Sequence, residues 1–156
     1  INMLRKFLLI GVIFIVAFSC TYDSLDDKSN DSDLIIKTGT ICGWCSVNDT
    51  LTITRNSVRY VNYANCDTNK PSAERMGELN STEFDALLAK LDFAELKKLD
   101  LNSSNVSFDG CDEWIYFSNS AENHYIRFTR NDPKLQSILT FVDQLNAIKA
   151  QYISNK

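Results

Sequence analysis

The chain has 156 residues, with 16 Lys and Arg against 20 Asp and Glu, so its net charge is −4. This length suits a single domain with a real core. The acidic balance argues against nucleic acid as a partner, because phosphate binding needs clustered Lys and Arg. The five glycines form no phosphate loop, and the single histidine, His124, accompanies no Gly-x-Ser-x-Gly element. We therefore predict no cofactor, no metal and no enzymatic activity.

The first twenty residues have the pattern of a secretory signal. Arg5 and Lys6 precede an apolar run over residues 7–18, and Ser19 and Cys20 follow it. The run is shorter than the roughly 20 residues that a transmembrane helix needs. The pattern therefore predicts export from the cytoplasm and an oxidising surrounding for the rest of the chain.

The motif Ala17-Phe18-Ser19-Cys20 resembles the lipobox of bacterial lipoproteins. The resemblance implies that residues 1–19 are a cleaved signal peptide and that Cys20 carries the lipid that attaches the protein to the membrane. Residues 20–32 are acidic and aperiodic, which predicts a disordered tether. Such acidic residues resemble the signals that send some lipoproteins to the outer membrane. We expect a cell-envelope protein, and whether it faces the periplasm or the outside stays open.

Four further cysteines, Cys42, Cys45, Cys66 and Cys111, follow the tether. An even number of cysteines in an oxidising compartment predicts disulfides, with three possible connectivities. We favour Cys42 or Cys45 bonded to Cys66 or Cys111 over a local Cys42–Cys45 bond, because closing a longer loop constrains the unfolded chain more. Zinc is the less favoured use of these four thiols, since the second pair is widely spaced.

Hydrophobic patterning predicts five strands and three helices from residue 33 onwards. Residues 34–38 form the first strand, residues 50–64 a hairpin, and residues 114–117 and 125–129 a second hairpin. Residues 65–79 lack a period and are predicted as a loop.

Capping signals place the helices. Asn80 with Glu83 begins the first, Asp92 caps a short second one, and Asp132 with Pro133 begins a long last one. The apolar stripe of the last helix comprises Leu135, Ile138, Leu139, Val142, Leu145, Ile148 and Tyr152.

This order, β-ββ-αα-ββ-α, predicts a single α+β domain over residues 33–156, with about five strands in an antiparallel sheet and helices packed on one face. The order of the Cys-x-x-Cys pair, hairpins and helices over residues 38–150 resembles small secreted bacterial domains of unknown function. That resemblance implies no activity.

Aromatic and acidic residues supply the remaining candidates for a site. We expect most strand aromatics to be core and Trp44, in the cysteine turn, to be exposed as a contact residue. Asp109, Asp112 and Glu113 gather around one turn, where calcium is the alternative to a merely acidic turn. The strand aromatics are Tyr60, Tyr63, Trp114, Tyr116 and Tyr125.

Taken together, these features predict a lipid-anchored binding or interaction module with an unknown protein or glycan partner. The alternative is an envelope thiol-disulfide redox protein that uses Cys42 and Cys45. That chemistry needs a thiolate activated at a helix N-terminus, whereas the residues after Cys45 predict a turn and a strand. The oligomeric state stays open.

Overall fold

A computed structural model of the chain describes residues 33–64 and 67–154. Cys20, Cys66, the predicted signal peptide and the predicted tether lie outside the described residues. The strands are β1 Ile35–Cys42, β2 Asp49–Ile53, β3 Ser57–Tyr63, β4 Pro71–Glu78, β5 Cys111–Ser118 and β6 Asn123–Phe128, and the helices are α1 Ser81–Leu88, α2 Phe93–Lys98 and α3 Leu139–Ser154.

Within the described residues, six strands form one antiparallel sheet in the order β4-β3-β2-β1-β5-β6. The predicted α+β class is confirmed, and both predicted hairpins are present as β2–β3 and β5–β6. The predicted number of strands is wrong, because the segment predicted as a loop over 65–79 contains β4. The observed order is β-βββ-αα-ββ-α.

β4 lies at one edge of the sheet, and its sequence does not predict a strand because it contains no row of buried apolar residues. It pairs with β3 alone, and its side chains are exposed or half-buried throughout. On the side facing the helices it offers small or charged residues, Ala73, Arg75 and Gly77, in place of the apolar residues that mark a strand. A Cβ on Gly77 would lie 2.1 Å from Tyr152 Oη, so the close approach of α3 needs glycine here.

The hydrophobic core lies on one face of the sheet, between the strands and the helices. The predicted caps are present: Asn80 and Glu83 form a reciprocal capping box on α1, and Asp92 Oδ1 accepts a hydrogen bond from Glu95 N on α2. The largest fully buried side chains are Phe84, Phe128, Phe141, Ile36, Leu51, Ile53, Leu87, Leu96, Ile115, Ile126, Leu135 and Ile138.

The last helix begins later than predicted. Asp132 does act as a cap, since its side chain accepts from Lys134 N, but the segment Pro133–Ser137 is a 3-10 turn. Ile138 then has a φ of −117° and a ψ of 7°, which are not helical, and α3 begins at Leu139. The predicted stripe therefore spans two elements, and all its residues except Leu139 enter or pack against the same core, as does Phe141, which the stripe omitted.

Candidate functional site

The turn that follows β1 contains a tryptophan whose side chain is exposed to solvent. Trp44 is 91% exposed, so the prediction that it is exposed is confirmed. Its φ of 54° and the φ of 55° at Cys45 lie in the left-handed region. That region costs a residue with a Cβ about 1–2 kcal/mol. Two consecutive residues remain there because the bonds around the turn fix its conformation.

Both cysteines of this turn form disulfides, and not with each other. Cys42 is bonded to Cys111, the residue directly opposite it in the pairing of β1 with β5. Cys45 is also disulfide-bonded, and the two remaining cysteines, Cys20 and Cys66, lie outside the described residues. The prediction of disulfides is thus confirmed at Cys42–Cys111, which closes a long loop as favoured above.

A glycine lets the cysteine turn touch the loop before β5. Gly43 N donates to Gly110 O at 2.9 Å, and Ser46 N donates to Gly43 O at 3.2 Å. A Cβ on Gly43 would lie 2.7 Å from Asp109 Cα, which is too close for any side chain. The two loops therefore pack backbone against backbone, and the position of one defines the position of the other.

The loop before β5 carries a second exposed ring that the sequence analysis missed. Phe108 ends the short 3-10 turn Asn105–Phe108 and is 81% exposed. Asp109 follows with a φ of 60°, a conformation that Asp adopts more readily than most residues. The available signal was composition, because Phe108 is the one aromatic residue in a segment otherwise made of Ser, Asn, Asp, Gly and one Val.

A buried carboxylate fastens this second loop to the sheet. Asp112, which is fully buried, accepts from Ser103 Oγ at 2.6 Å and from Val106 N at 3.3 Å. Arg127 on β6 donates from Nε to Asp112 Oδ2 at 3.0 Å, and Arg127 Nη2 lies 2.8 Å from the same Oδ2 atom. Burial alone raises the pKa of Asp112, but the hydrogen bonds and the Arg127 charge outweigh it and hold the pKa below its ordinary value.

We call the segments 43–48 and 103–110 together the aromatic tip. Both are attached to the Cys42–Cys111 bond, so Trp44 and Phe108 lie at the same end of the sheet. The remaining residues of the two segments are Gly, Ser, Asn, Cys and Val, with Asp109 as the one charged residue. The tip is therefore a rigid, nearly uncharged surface with two exposed rings.

A second group of rings lies on the face of the sheet opposite the helices. Tyr116 and Tyr125 are direct partners across β5 and β6, and the Trp114 ring centroid lies 6.2 Å from that of Tyr125. Lys37 Nζ lies 5.8 Å from the centroid of Tyr116. We call Trp114, Tyr116 and Tyr125 the outer rings. Neighbouring side chains cover part of each of these rings. Tyr125 is the most exposed of the three, at 50%.

The prediction that most strand aromatics are core is wrong. Tyr60 is buried in the core and Tyr63 is half-buried, whereas the outer rings lie on the opposite face. The reason is the two-residue period of a strand: Ile115 and Phe117 occupy the core positions of β5, so the aromatic residues beside them point outward.

A buried ion pair joins α3 to the sheet, and sequence analysis missed it. Lys149 Nζ lies 3.2 Å from Asp49 Oδ1 and donates to Thr40 Oγ1 at 2.6 Å. Tyr60 Oη donates to Asp49 Oδ2 at 3.5 Å, and burial raises the pKa of Tyr60. The signal was Lys149 standing four residues after Leu145, in line with the apolar stripe. This pair positions the helix.

The acidic turn does not gather its carboxylates into one site. Asp109 is exposed, Asp112 pairs with Arg127, and Glu113 Oε2 accepts from Asn146 Nδ2 at 2.9 Å on the helix side. Within residues 33–64 and 67–154, no group of three or more His, Cys, Asp or Glu side chains is placed to hold a metal ion.

The single histidine, His124, is half-buried near the start of β6. Its Nε2 lies 3.1 Å from Leu99 O, so the ring takes part in the contact between β6 and the segment after α2. No carboxylate is among the hydrogen-bond partners of His124 in the described part of the chain. The contact therefore gives this residue a structural role.

No protein-family model matches this chain, and no curated protein matches it. Among the residues that the structure describes, no helix is both long enough and apolar enough to cross a bilayer. The function therefore has to be argued from the surfaces themselves, and the aromatic tip is the surface with the most exposed apolar side chains.

Proposed function

We propose that this protein is a lipid-anchored binding module of the bacterial cell envelope, and that the aromatic tip is its contact surface. The observation that carries the proposal is the 91% exposure of Trp44 on a turn whose two cysteines are both in disulfides. A tryptophan in solvent contributes almost nothing to folding. Its large apolar surface is instead available to a partner.

The rigidity of the tip supports a role in binding. Trp44 sits between Cys42 and Cys45, and Gly43 holds the turn against the loop that carries Phe108. A ring that is already fixed in place loses little conformational entropy when a partner covers it. The left-handed backbone of Trp44 supports the same interpretation, because strained residues concentrate where function requires them.

The tip follows the far end of β1, whereas the predicted tether precedes its beginning in the chain. The chain enters β1 at Ile35 and reaches the tip after Cys42. Eight residues of strand cover about 26 Å at roughly 3.3 Å per residue. A domain attached through lipid at Cys20 thus carries its tip far from the point where the tether joins the domain, where a partner can reach it.

Site-specific photo-crosslinking in native envelopes tests this function without assuming a partner. Benzoylphenylalanine replaces Trp44 or Phe108, and the matched control places it at Met76, which is 71% exposed on the edge strand β4. We expect adducts to protein or lipid at positions 44 and 108 and none at position 76. No adduct at either tip position, or equal labelling at all three, would contradict the proposal.

The alternative of an envelope redox protein remains a prediction with a separate test. It needs Cys42 and Cys45 to exchange one disulfide between them, whereas the structure bonds Cys42 to Cys111. Thiol counting of the purified protein under mild reductant distinguishes the two functions. A binding module keeps its disulfides, and a redox protein releases a thiol pair that reoxidises.

A further inference from the structure

We infer that the partner of the aromatic tip is the interfacial region of a lipid bilayer with no net charge, into which Trp44 and Phe108 insert. The inference rests on the proposed function and names the chemistry of its partner. A protein partner is the other possible occupant, and the experiment below distinguishes the two.

The charge of the tip favours a neutral bilayer. Its two segments contain no Lys or Arg, which anionic lipids attract, and the whole chain is acidic. Trp is enriched at the boundary between lipid and water, where its ring is buried and its N–H stays near polar groups. Asp109 is the one charge that opposes deep insertion. Shallow insertion into a zwitterionic bilayer agrees with the absence of Lys and Arg, with the preference of Trp for the boundary between lipid and water, and with the charge of Asp109.

The backbone of the tip is also suited to a lipid surface. Polar backbone groups that enter lipid without a partner are costly, so a membrane-contacting loop must satisfy them internally. Several N–H groups already donate to backbone carbonyls within the tip. They include Gly43 N to Gly110 O, Ser46 N to Gly43 O, Ser107 N to Ser104 O, and Gly110 N to Asn105 O, at distances from 2.9 to 3.2 Å.

The predicted anchor keeps such a bilayer within reach. Residues 21–32, between Cys20 and the described domain, have a maximum length of about 40 Å at roughly 3.4 Å per residue. This exceeds the distance of about 26 Å along β1, so the domain can turn its tip toward the membrane that holds its lipid. Tethering raises the effective concentration of that surface, so a weak insertion suffices.

Fluorescence quenching by brominated lipid tests the inference. The full chain is reconstituted with phosphatidylcholine vesicles, with and without bromine on the acyl chains. The chain has two tryptophans, so Trp114→Phe leaves Trp44 as the single emitter and Trp44→Phe leaves Trp114 as the matched control. We expect the emission of Trp44 to shift to shorter wavelength and to be quenched, while that of Trp114 is unchanged.

Variants of the tip test whether its charge and its second ring affect the insertion of Trp44. Asp109→Asn should increase the quenching of Trp44, because it removes the opposing charge, and Phe108→Ser should decrease it. Replacing part of the lipid by anionic phosphatidylglycerol should also decrease it. Circular dichroism checks that each variant is folded. Both substituted side chains are exposed, so the fold should survive.

Unquenched Trp44 emission in folded protein would overturn the inference. If crosslinking at positions 44 and 108 then gave protein adducts, the tip would be a protein-binding surface and the proposed function would stand. If it gave no adduct either, both the inference and the proposed function would fail. Equal quenching of Trp44 and Trp114 would overturn the inference as well, since the tip would then not be the inserted part.

Discussion

The aromatic tip and the outer rings both display aromatic side chains, but only the outer rings contact one another. Tyr116 and Tyr125 are cross-strand partners, Trp114 lies beside Tyr125, and Lys37 lies over Tyr116. The turn that carries Trp44 is instead held by disulfides, by backbone hydrogen bonds and by Ser46 Oγ, which donates to Gly43 O at 3.2 Å. Rings on a sheet therefore stabilise the fold through their neighbours, whereas the tip must be stabilised through its backbone.

The largest expected effect comes from removing the covalent bond at the base of the tip. Replacing both Cys42 and Cys111 with alanine opens a link between residues 69 positions apart. We expect the free energy of unfolding to fall by about 2–4 kcal/mol, because the unfolded chain gains freedom. Urea unfolding measures the change, with Ser46→Ala as a control on the same turn. A loss no larger than that of the control would contradict a stabilising role.

The next largest effect concerns the carboxylate that fastens the Phe108 loop. Asp112→Asn removes the charge that pairs with Arg127, and it places an amide where donors from four residues converge. We expect a loss of about 1–3 kcal/mol in the free energy of unfolding. Asp109→Asn, three residues earlier and exposed, is the control and should change little. Equal losses for the two variants would show that the buried network contributes nothing particular.

Paired tryptophan substitutions test the contrast between the two regions directly. Trp114 packs over Gly39, where an added Cβ would lie 2.7 Å from the indole ring. We expect Trp114→Ala to cost about 2 kcal/mol, less than for a fully buried tryptophan, and Trp44→Ala to stay within about 0.5 kcal/mol. Thermal unfolding of both variants provides the measurement. A larger loss at Trp44 would mean that its ring stabilises the tip.

The smallest expected effect is a dependence of stability on pH. The folded state lowers the pKa of Asp112, so its stabilisation is complete above the unfolded value of about 3.9 and is lost as the pH falls through the folded value. Unfolding measured between pH 6 and pH 2, a range chosen to span about 3.9, should show this loss in the wild type. Asp112→Asn should have a shallower slope there. Parallel curves for the two proteins would assign the dependence to other carboxylates.

Local signals predicted most of the elements. Asn80 with Glu83, Asp92 and Asp132 each cap the segment that follows them, because a cap involves residues only two or three positions apart. The alternation over residues 50–64 likewise predicted the hairpin that β2 and β3 form. Local signals failed at β4, because this strand carries no buried apolar row, whereas the other edge strand, β6, carries one in Ile126 and Phe128.

The site was predictable only in part. The exposure of Trp44 follows from its place between two cysteines in a turn, which is local information. Phe108 became part of the same surface only when β5 paired with β1 and brought Cys111 opposite Cys42. Residues that are 64 positions apart cannot be assigned to one surface by periodicity.

The sequence by itself determined the α+β class, the helix caps, the two predicted hairpins and the exposed tryptophan. Each of these depends on residues close together in the chain. Only the tertiary structure decided the partner of Cys42, the outward position of Trp114, and the buried pairs of Asp112 with Arg127 and Asp49 with Lys149. Those features depend on which strands become neighbours, and packing of the whole core selects that arrangement.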